Sequence, residues 1–488
     1  MTAVLEIQGP GRTAFFRPVS SRALGSPPAG PWRAPGRLQT LADTMSGKTL
    51  LWRAADNGYE EVVRELLEQD EVNPNAADQD GQTPLSRAAC NGYEGVVRIL
   101  LERDDIDPVR ADENGRTPLS WAAENGHEGV VKILLEQDGV DPNTADQEGR
   151  TPLSWAVENG YEGVVKILLE RDGVNPDIAD EYGQTPLSWA ACVGHEGVVG
   201  MLLERDDVDP VKADQDGRTP LSWAASGGRA GIVRMLLERD EVDPSTADEE
   251  GRTALSWAAG SGCEGIVGIL LEQDGVGPDI ADESGRTPFS WAALWGHEGV
   301  VGMLLERDDV DPVRADGDGR TPLSQAASGG HAGIVRMLLE RDEVDPNTAS
   351  RDGQTPLALA AWSGHEGVVR MLLERNDVNP AIEDEYGGPL CGAACIGNAR
   401  IVKILLERKD VNPNTADKEG QTPLFWAARY GHERIVRMLL ERNDIDPDIA
   451  HINGLTPLLV AMGLGHRGVV KLLLDHARFT SMIDRFPW

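Results

Sequence analysis

The sequence predicts an all-α solenoid in which short helix pairs stack along one axis. Three observations predict it. A segment that begins with Gly-Arg-Thr-Pro-Leu, or a close variant, returns every 34 residues. Within each copy, apolar residues follow a helical period between clusters of Gly, Asp, Asn and Pro. The copies fill residues 47–476, so one repetitive architecture accounts for most of the 488-residue chain.

A threonine marks almost every copy, and the copies can be counted from it. Consecutive threonines are 34 residues apart, except where one residue is missing and the threonine is replaced, in the copy that contains Gly388. Counting that copy gives thirteen units. The threonines are Thr49, Thr83, Thr117, Thr151, Thr185, Thr219, Thr253, Thr287, Thr321, Thr355, Thr422 and Thr456.

The third unit, Gly115 to Glu148, shows why each copy predicts a first short helix. The Thr117 hydroxyl can accept an amide hydrogen bond at the helix start. Pro118 suits the first helical position because its missing N–H has no partner there. We expect the helix to end at Gly126, which tolerates a positive φ.

A second helix is predicted in the same unit from about Glu128 to Glu136. Glu128 lies in the first turn, where the helix dipole favours a negative charge. The apolar residues cover more than one face, which is typical of a helix packed on two sides. They are Val130, Val131, Ile133, Leu134 and Leu135. The Gly, Asp and Asn residues that follow predict a hairpin with its tip near Gly149.

Read from Asp112, the unit is DENGRTPLSWAAENGHEGVVKILLE, and it resembles the ankyrin repeat. The resemblance covers residues 47–476 and implies stacked helix-turn-helix units with β-hairpin loops. Three features depart from the family pattern. The units have 34 residues rather than the commoner 33. Serine, as in Ser120 and Ser154, replaces the histidine that usually follows Thr-Pro-Leu, and the eleventh unit lacks its threonine cap, which predicts a weak point.

The two ends of the chain differ from the units. Residues 1–46 are rich in Pro and Gly and carry five Arg against Glu6 and Asp43, so a disordered leader is predicted, with an organelle transit segment as the alternative. Residues 477–488 form a C-terminal tail that we expect to cap the last unit. The apolar residues of that tail are Phe479, Met482, Ile483, Phe486 and Trp488.

The charge and the cysteine content exclude several function classes. A net charge of −35 would repel nucleic acids and anionic membranes over most of the surface. Five cysteines form no disulfide framework at this length, which indicates a reducing compartment. No secretory signal or membrane span is recognisable, so we expect a cytoplasmic protein, with the nucleus as the alternative.

One stretch raises the question of nucleotide binding. Residues 42–49, ADTMSGKT, fit the loose form of the phosphate-binding loop motif, with Lys48 for the phosphates and Thr49 for Mg²⁺. However, Gly47 and Thr49 lie 34 residues before Gly81 and Thr83. We therefore interpret the match as the first copy of the repeat.

No catalytic, cofactor-binding or metal-binding residues are predicted. A histidine recurs after the first helix, but successive copies lie one layer apart and cannot converge on one metal ion. Those residues are His127, His195, His297, His331, His365, His432 and His466. The resemblance implies that this histidine ties the turn between the two helices. Cys391 and Cys395 are interpreted as small core residues because they lack further metal ligands nearby.

A tryptophan recurs on the first helix. Half-buried packing between adjacent first helices is the favoured interpretation, and an exposed binding stripe is the alternative. The residues are Trp121, Trp155, Trp189, Trp223, Trp257, Trp291 and Trp426.

Two variable columns predict where a partner binds. One is the hairpin tip and the other is the pair of residues that follows Ala-Ala in the first helix. In ankyrin-repeat proteins these positions face the concave groove, although some of the side chains could instead pack against a neighbouring layer. The predicted partner-binding residues are Tyr182, Val193, Leu294, Trp295, Arg351, Trp362, Arg429 and Tyr430.

The resemblance implies a non-enzymatic scaffold that binds a protein partner through the concave groove. The acidic hairpin tips favour a partner with basic patches. We expect a monomer that needs no cofactor. The near-identity of the copies also resembles the ankyrin arrays of filamentous fungi, so the alternative function is the ligand-sensing region of a NACHT/STAND-type NTPase switch protein whose nucleotide-binding core is not in this chain.

Overall fold

The computed structural model describes residues 49–485, with side chains through residue 478, and in this part the chain forms 26 helices in thirteen pairs. The predicted leader lies outside the described residues. The first helices of the pairs are α1 (Leu50–Asp56), α3 (Pro84–Cys90), α5 (Pro118–Glu124), α7 (Pro152–Glu158), α9 (Pro186–Val193), α11 (Pro220–Ser226), α13 (Ala254–Gly260), α15 (Pro288–Trp295), α17 (Pro322–Gly329), α19 (Pro356–Ser363), α21 (Gly388–Cys395), α23 (Pro423–Arg429) and α25 (Pro457–Leu464). The second helices are α2 (Glu60–Leu67), α4 (Glu94–Leu101), α6 (Glu128–Leu135), α8 (Glu162–Leu169), α10 (Glu196–Leu203), α12 (Ala230–Leu237), α14 (Glu264–Leu271), α16 (Glu298–Leu305), α18 (Ala332–Leu339), α20 (Glu366–Leu373), α22 (Ala399–Leu406), α24 (Glu433–Leu440) and α26 (Arg467–Arg485).

The first helices begin as the sequence predicts. At α5, the Thr117 hydroxyl accepts the amide of Ser120 at 3.2 Å, and Pro118 takes the first helical position. The two hydroxyl oxygens lie 3.1 Å apart, and both side chains are buried. The serine that departs from the family pattern therefore belongs to the helix cap.

Two physical reasons favour a glycine after the first helix, as the third unit shows. Gly126 has a φ of 76°, a left-handed conformation that side chains with a Cβ rarely adopt. A Cβ on this residue would also lie 2.7 Å from the ring of Tyr161 in the next unit. The turn between the two helices is thus fixed by the close approach of the following layer.

The units pack in two layers of helices. First helices contact first helices of adjacent units, and second helices contact second helices. The first helices approach each other more closely, because alanines such as Ala122 and Ala123, both fully buried, present little volume at their contacts. Closer packing of the first helices predicts a stack that curves toward them, so we call the side with the first helices and the hairpin tips the concave side.

The second helices bury two faces, as predicted. In α6, Val130 and Val131 are fully buried, and Ile133, Leu134 and Leu135 are at most 5% exposed. The units therefore form one continuous apolar core along the stack.

The hairpin tips form tight turns. The Asp112 amide donates to the Arg116 carbonyl within one tip, and the Glu113 amide donates to the Asp80 carbonyl of the preceding tip, each at 3.0 Å. Among residues 49–485 there is no strand, and only Ala247 and Thr253 form an isolated antiparallel bridge. The backbone groups at the tips thus bond from one unit to the next.

Residues 477–485, predicted as a separate tail, continue α26 without a break. Capping of the last unit by this tail stays a prediction, because the side chains from residue 479 onward lie outside those described.

A second set of hydrogen bonds joins the loops that follow the second helices. The Asn143 side chain donates from Nδ2 to the Gly173 carbonyl at 2.7 Å and accepts the Asn175 amide at 2.8 Å. Asp177 occupies the same position one unit later and accepts the Asp209 amide at 2.8 Å. Its Oδ1 atom is buried without a hydrogen-bond partner, and burial raises the pKa of this carboxyl. A carboxylate cannot donate a hydrogen bond, so Asp177 cannot make the bond that Asn143 makes through its Nδ2 group.

We predict that Asp177→Asn stabilises the chain by about 1 kcal/mol at neutral pH, because the new amide can donate one more hydrogen bond. The measurement is thermal unfolding at several pH values. Because burial raises the pKa of Asp177 in the folded chain, the protonated carboxyl stabilises the fold. This stabilisation is fully present below the unfolded pKa of about 3.9 and is lost as the pH rises through the folded pKa. The advantage of the variant should therefore shrink in acid.

The matched control is Asn143→Asp, which should destabilise the chain at neutral pH and recover in acid. Equal unfolding curves for the wild type and Asp177→Asn at pH 7 would contradict this account of the loop hydrogen bonds.

Candidate functional site

The histidine column joins neighbouring units. The Nε2 atom of His127 lies 3.0 Å from the carbonyl oxygen of Cys90, at the end of the preceding unit's first helix. Because a carbonyl can only accept, Nε2 carries the proton. The same bond is made by His195, His297, His331, His365, His432 and His466, each to a residue 37 positions earlier. The histidine thus bonds its turn to the preceding unit. The resemblance implied only that it holds the turn between the two helices of its own unit.

The tryptophan column holds the hairpin against the first helix. In the fourth unit, Trp155 Nε1 donates to Asp146 Oδ2 at 3.1 Å, while Oδ1 of the same carboxylate accepts the amides of Glu148 and Arg150 at 3.1 and 2.9 Å. The Asp146 side chain is fully buried. Equivalent indole bonds of 2.9–3.2 Å are made by Trp121, Trp189, Trp223, Trp257, Trp291 and Trp426. This geometry supports the packing interpretation.

In five units the hairpin arginine stacks on a tryptophan ring, a contact that was not predicted from the sequence. The guanidinium carbon of Arg218 lies 3.5 Å from the ring centre of Trp223 and 3.8 Å from that of Trp257 in the next unit. Arg116 lies over Trp121 and Trp155 in the same way, at 4.8 and 3.9 Å. Burial lowers the pKa of Arg218 to about 10, so the group stays charged at neutral pH. One cation–π contact thus links two successive layers.

We predict that Trp189→Ala destabilises the chain by about 3 kcal/mol, because it removes a large packed ring and the bond to Asp180 at 2.9 Å. The chain supplies the matched control: Gln325 stands in the same column, and its Nε2 donates to Asp316 Oδ2 at 2.9 Å. Trp189→Gln should therefore cost less than Trp189→Ala in thermal unfolding. An unchanged melting curve together with lost partner binding would instead identify the column as a binding stripe.

The predicted partner-binding residues lie at two kinds of position on the concave side. Tyr182, which is 62% exposed, and Arg351, also exposed, lie at hairpin tips. The others lie at or just after the ends of first helices: Val193, Leu294, Trp295 and Trp362 are half-buried, while Arg429 and Tyr430 are exposed. Their contact with a partner stays a prediction.

Two of these residues meet in one group of rings. Trp362 lies edge-to-face against Tyr386 and Trp426, with ring centres 5.9 and 6.4 Å apart, and Tyr430 stacks on Trp426 at 5.9 Å. We call Trp362, Tyr386, Trp426 and Tyr430 the aromatic cluster. Arg429 borders it, with its guanidinium carbon 5.6 Å from the Trp426 ring centre. Tyr386 was not among the predicted residues, although its place in the variable tip column of an irregular unit was a usable signal.

The eleventh unit explains why these rings come together. Gly392 stands in the tryptophan column, and a Cβ there would lie 2.6 Å from the Trp362 ring. Trp362, from the tenth unit, therefore fills the space that the unit's own tryptophan would occupy. The helix α21 forms without a side-chain cap, starting from Gly387 at a φ of 86°. The predicted weakness of this unit is not tested by its geometry.

The remaining sequence motifs have structural roles. The Thr49 hydroxyl accepts the Trp52 amide at 3.1 Å and caps α1, as Thr83 caps α3, whereas Lys48 lies outside the described residues. Cys391 is buried, and its thiol faces the Thr415 carbonyl at 3.5 Å; burial raises its pKa well above the usual value. In the described part of the chain, no three His, Cys, Asp or Glu side chains are grouped so that they could hold a metal ion. Within the same residues, no helix has the length and apolarity needed to cross a membrane.

The comparison with protein families agrees with the geometry. A family model described as ankyrin repeats, in three copies, matches residues 35–112, 105–180, 172–248, 240–316, 308–384 and 389–483. These matches cover well over half of the chain. No curated protein matches the chain.

Proposed function

We propose, from the premise that this chain belongs to the ankyrin-repeat family, that it is a non-enzymatic scaffold whose concave surface binds a protein partner. Ankyrin repeats are generally protein-interaction modules. The observation that carries the proposal is the contrast between positions. Residues that hold the units together repeat almost unchanged, whereas hairpin tips and first-helix ends on the concave side vary from unit to unit.

The charge of the chain supports a partner with basic patches. The net charge is −35, and acidic side chains such as Glu113, Glu181 and Glu283 recur at the hairpin tips. An acidic concave surface attracts a basic protein over long range and accelerates its association at low salt. Association should therefore slow as the ionic strength rises.

The oligomeric state and the cellular location of the chain are also proposed. We propose that the chain acts as a monomer in the cytoplasm or the nucleus. The five free cysteines are consistent with a reducing compartment. Sedimentation of the full chain would test the monomer, and fluorescence microscopy of the tagged full chain would test the location.

The partner-binding surface can be tested with a variant that copies another unit. In the variant Leu294→Glu with Trp295→Asn, the concave positions of the eighth unit become those of Glu124 and Asn125 in the third. We predict that this variant folds normally but loses a protein that the wild-type full chain captures, because an apolar anchor is replaced by polar side chains.

The matched control is Lys132→Ala, an exposed position on α6 away from the concave side. Capture is measured by pull-down and mass spectrometry, and folding by circular dichroism. The proposal fails if the same proteins are captured by the wild type and by the double variant, with equal affinity.

The near-identity of the units favours a second candidate function, the ligand-sensing region of an NTPase switch protein of the NACHT/STAND type. In that case the concave surface would bind a proteinaceous trigger, and a nucleotide-binding core would be encoded upstream in the same transcript. Sequencing the full transcript tests this candidate. The present chain, by our proposal, hydrolyses neither ATP nor GTP.

A further inference from the structure

The regular units hold a guanidinium at a fixed place. In five units the hairpin arginine lies over the tryptophan ring of its own unit, at 3.5–5.0 Å from the ring centre. Two of these arginines, Arg116 and Arg218, also lie over the ring of the next unit. It also lies near the buried hairpin carboxylate: Arg252 Nε is 3.2 Å from Asp248 Oδ2, and Arg286 Nε is 3.6 Å from Asp316 Oδ2. Ring faces and a buried carboxylate therefore form one binding place for a guanidinium.

The eleventh unit keeps the carboxylate but lacks the arginine. Regular units have one residue between the hairpin glycine and the threonine cap, and Arg116 and Arg150 are examples of it. The eleventh unit, in which Gly388 stands in place of the threonine, lacks this residue. Its neighbours do not replace it, because Gln354 and Gln421 stand at the same position in the tenth and twelfth units. The chain thus provides no hairpin guanidinium here.

Two buried polar atoms are left without hydrogen bonds at this place. Asp384 Oδ1 accepts the amides of Tyr386 and Gly388 at 2.8 and 2.7 Å, as in a regular hairpin. Its Oδ2 atom, which bonds an indole in regular units, is buried and has no hydrogen-bond partner. The indole Nε1 of Trp362, the ring that fills the space beside Gly392, is also buried without one. Burial raises the pKa of the Asp384 carboxyl.

The aromatic cluster supplies the ring faces. Trp362 is half-buried and Tyr386 and Tyr430 are 43% and 49% exposed, so the cluster is open to solvent. Among the arginines that the structure describes, Arg429 is the one whose guanidinium lies over Trp426, at 5.6 Å. The arginines of the sixth and seventh units stack more closely, at 3.5–4.0 Å. Within the described residues the Trp362 Nε1 atom has no hydrogen bond, so none would be broken if the ring moved to expose Asp384.

We propose that the aromatic cluster and Asp384 bind an arginine side chain of the protein partner, which takes the place of the arginine that the eleventh unit lacks. The proposal rests on the proposed function, because it names the chemistry that the partner presents. A guanidinium is favoured over an ammonium because it is planar, stacks on aromatic rings and can donate to a carboxylate at the same time.

The test uses two fluorescein-labelled peptides in which four Arg, or four Lys, alternate with Gly, and the full chain. Both peptides carry the same charge, so general attraction to the acidic surface affects them equally. We expect the wild type to bind the arginine peptide about tenfold more tightly in fluorescence anisotropy, since stacking adds to the charge contact. Equal affinities for the two peptides would overturn the proposal.

A double variant provides the matched control. Trp362→Ser with Gly392→Trp gives the tenth and eleventh units the residues that Ser226 and Trp257 provide in regular units. The introduced indole can donate to Asp384, so the variant should melt no lower than the wild type. It rebuilds the ring and carboxylate of a regular unit without the arginine, so it should keep the preference for arginine. Loss of the preference in this folded variant would contradict the proposal.

A second variant keeps the test decisive if the first does not fold. Asp384→Asn retains the hairpin turn but removes the charge, and it should weaken the arginine peptide more than the lysine peptide. Glu113→Gln, which removes one remote charge, should weaken both peptides equally and slightly. An equal effect of Asp384→Asn on both peptides would count against the proposal.

The outcomes separate this proposal from the proposed function. Loss of the captured partner in the Leu294 and Trp295 variant, with no arginine preference in the wild type, would leave the scaffold function standing and reject the arginine site. An arginine preference without any captured protein would reject the scaffold function and, with it, the partner assigned to the site.

Discussion

Every unit of this solenoid depends on its neighbours to bury apolar surface that one helix pair cannot cover. The second helices have two apolar faces, and the first helices present mostly alanines at their contacts. Stability in such a stack is close to the sum of unit and interface contributions. The hydrophobic effect therefore determines the stacked architecture, and the polar contacts on the concave side form within the stack that it produces.

Polar contacts decide how the units are aligned. The histidine bond to the preceding unit and the hairpin carboxylate satisfy polar groups that the close packing removes from water, and the bridging arginine stacks on the rings of two units. An unsatisfied buried group costs about 1–3 kcal/mol, so these contacts constrain the residues that each column can accept. Across residues 49–478, the side chains at the hairpin tips and at the ends of the first helices make none of these buried polar contacts. They can therefore differ from unit to unit.

Much of the fold could be predicted from the sequence because the responsible signals are local. Thr117 and Pro118 start a helix and Gly126 ends one, for reasons contained within a few residues. The β-hairpin expected at the tips is reduced to turns, because each tip is too short for a ladder and its amides bond to the adjacent tip.

The contacts between units could not be predicted in the same way. His127 reaches a carbonyl 37 residues earlier, and Arg116 bridges two rings, and both contacts depend on how closely the layers approach. Trp362 was predicted to contact a partner, with packing against a neighbouring layer as the alternative, and the structure half-buries it in the space beside Gly392. The aligned units show that Gly392 replaces a tryptophan, but only the structure shows that the ring of Trp362 fills the space.

The 34-residue repeat has a consequence for how the length of the array can change. Adjacent interfaces use the same residues in the same order, so removing one whole unit joins two surfaces that already match. Misaligned recombination between similar stretches of the coding sequence would then yield a shorter or longer protein that still folds. The array can gain or lose segments of its concave surface in heritable steps, without any new interface having to arise by point mutation.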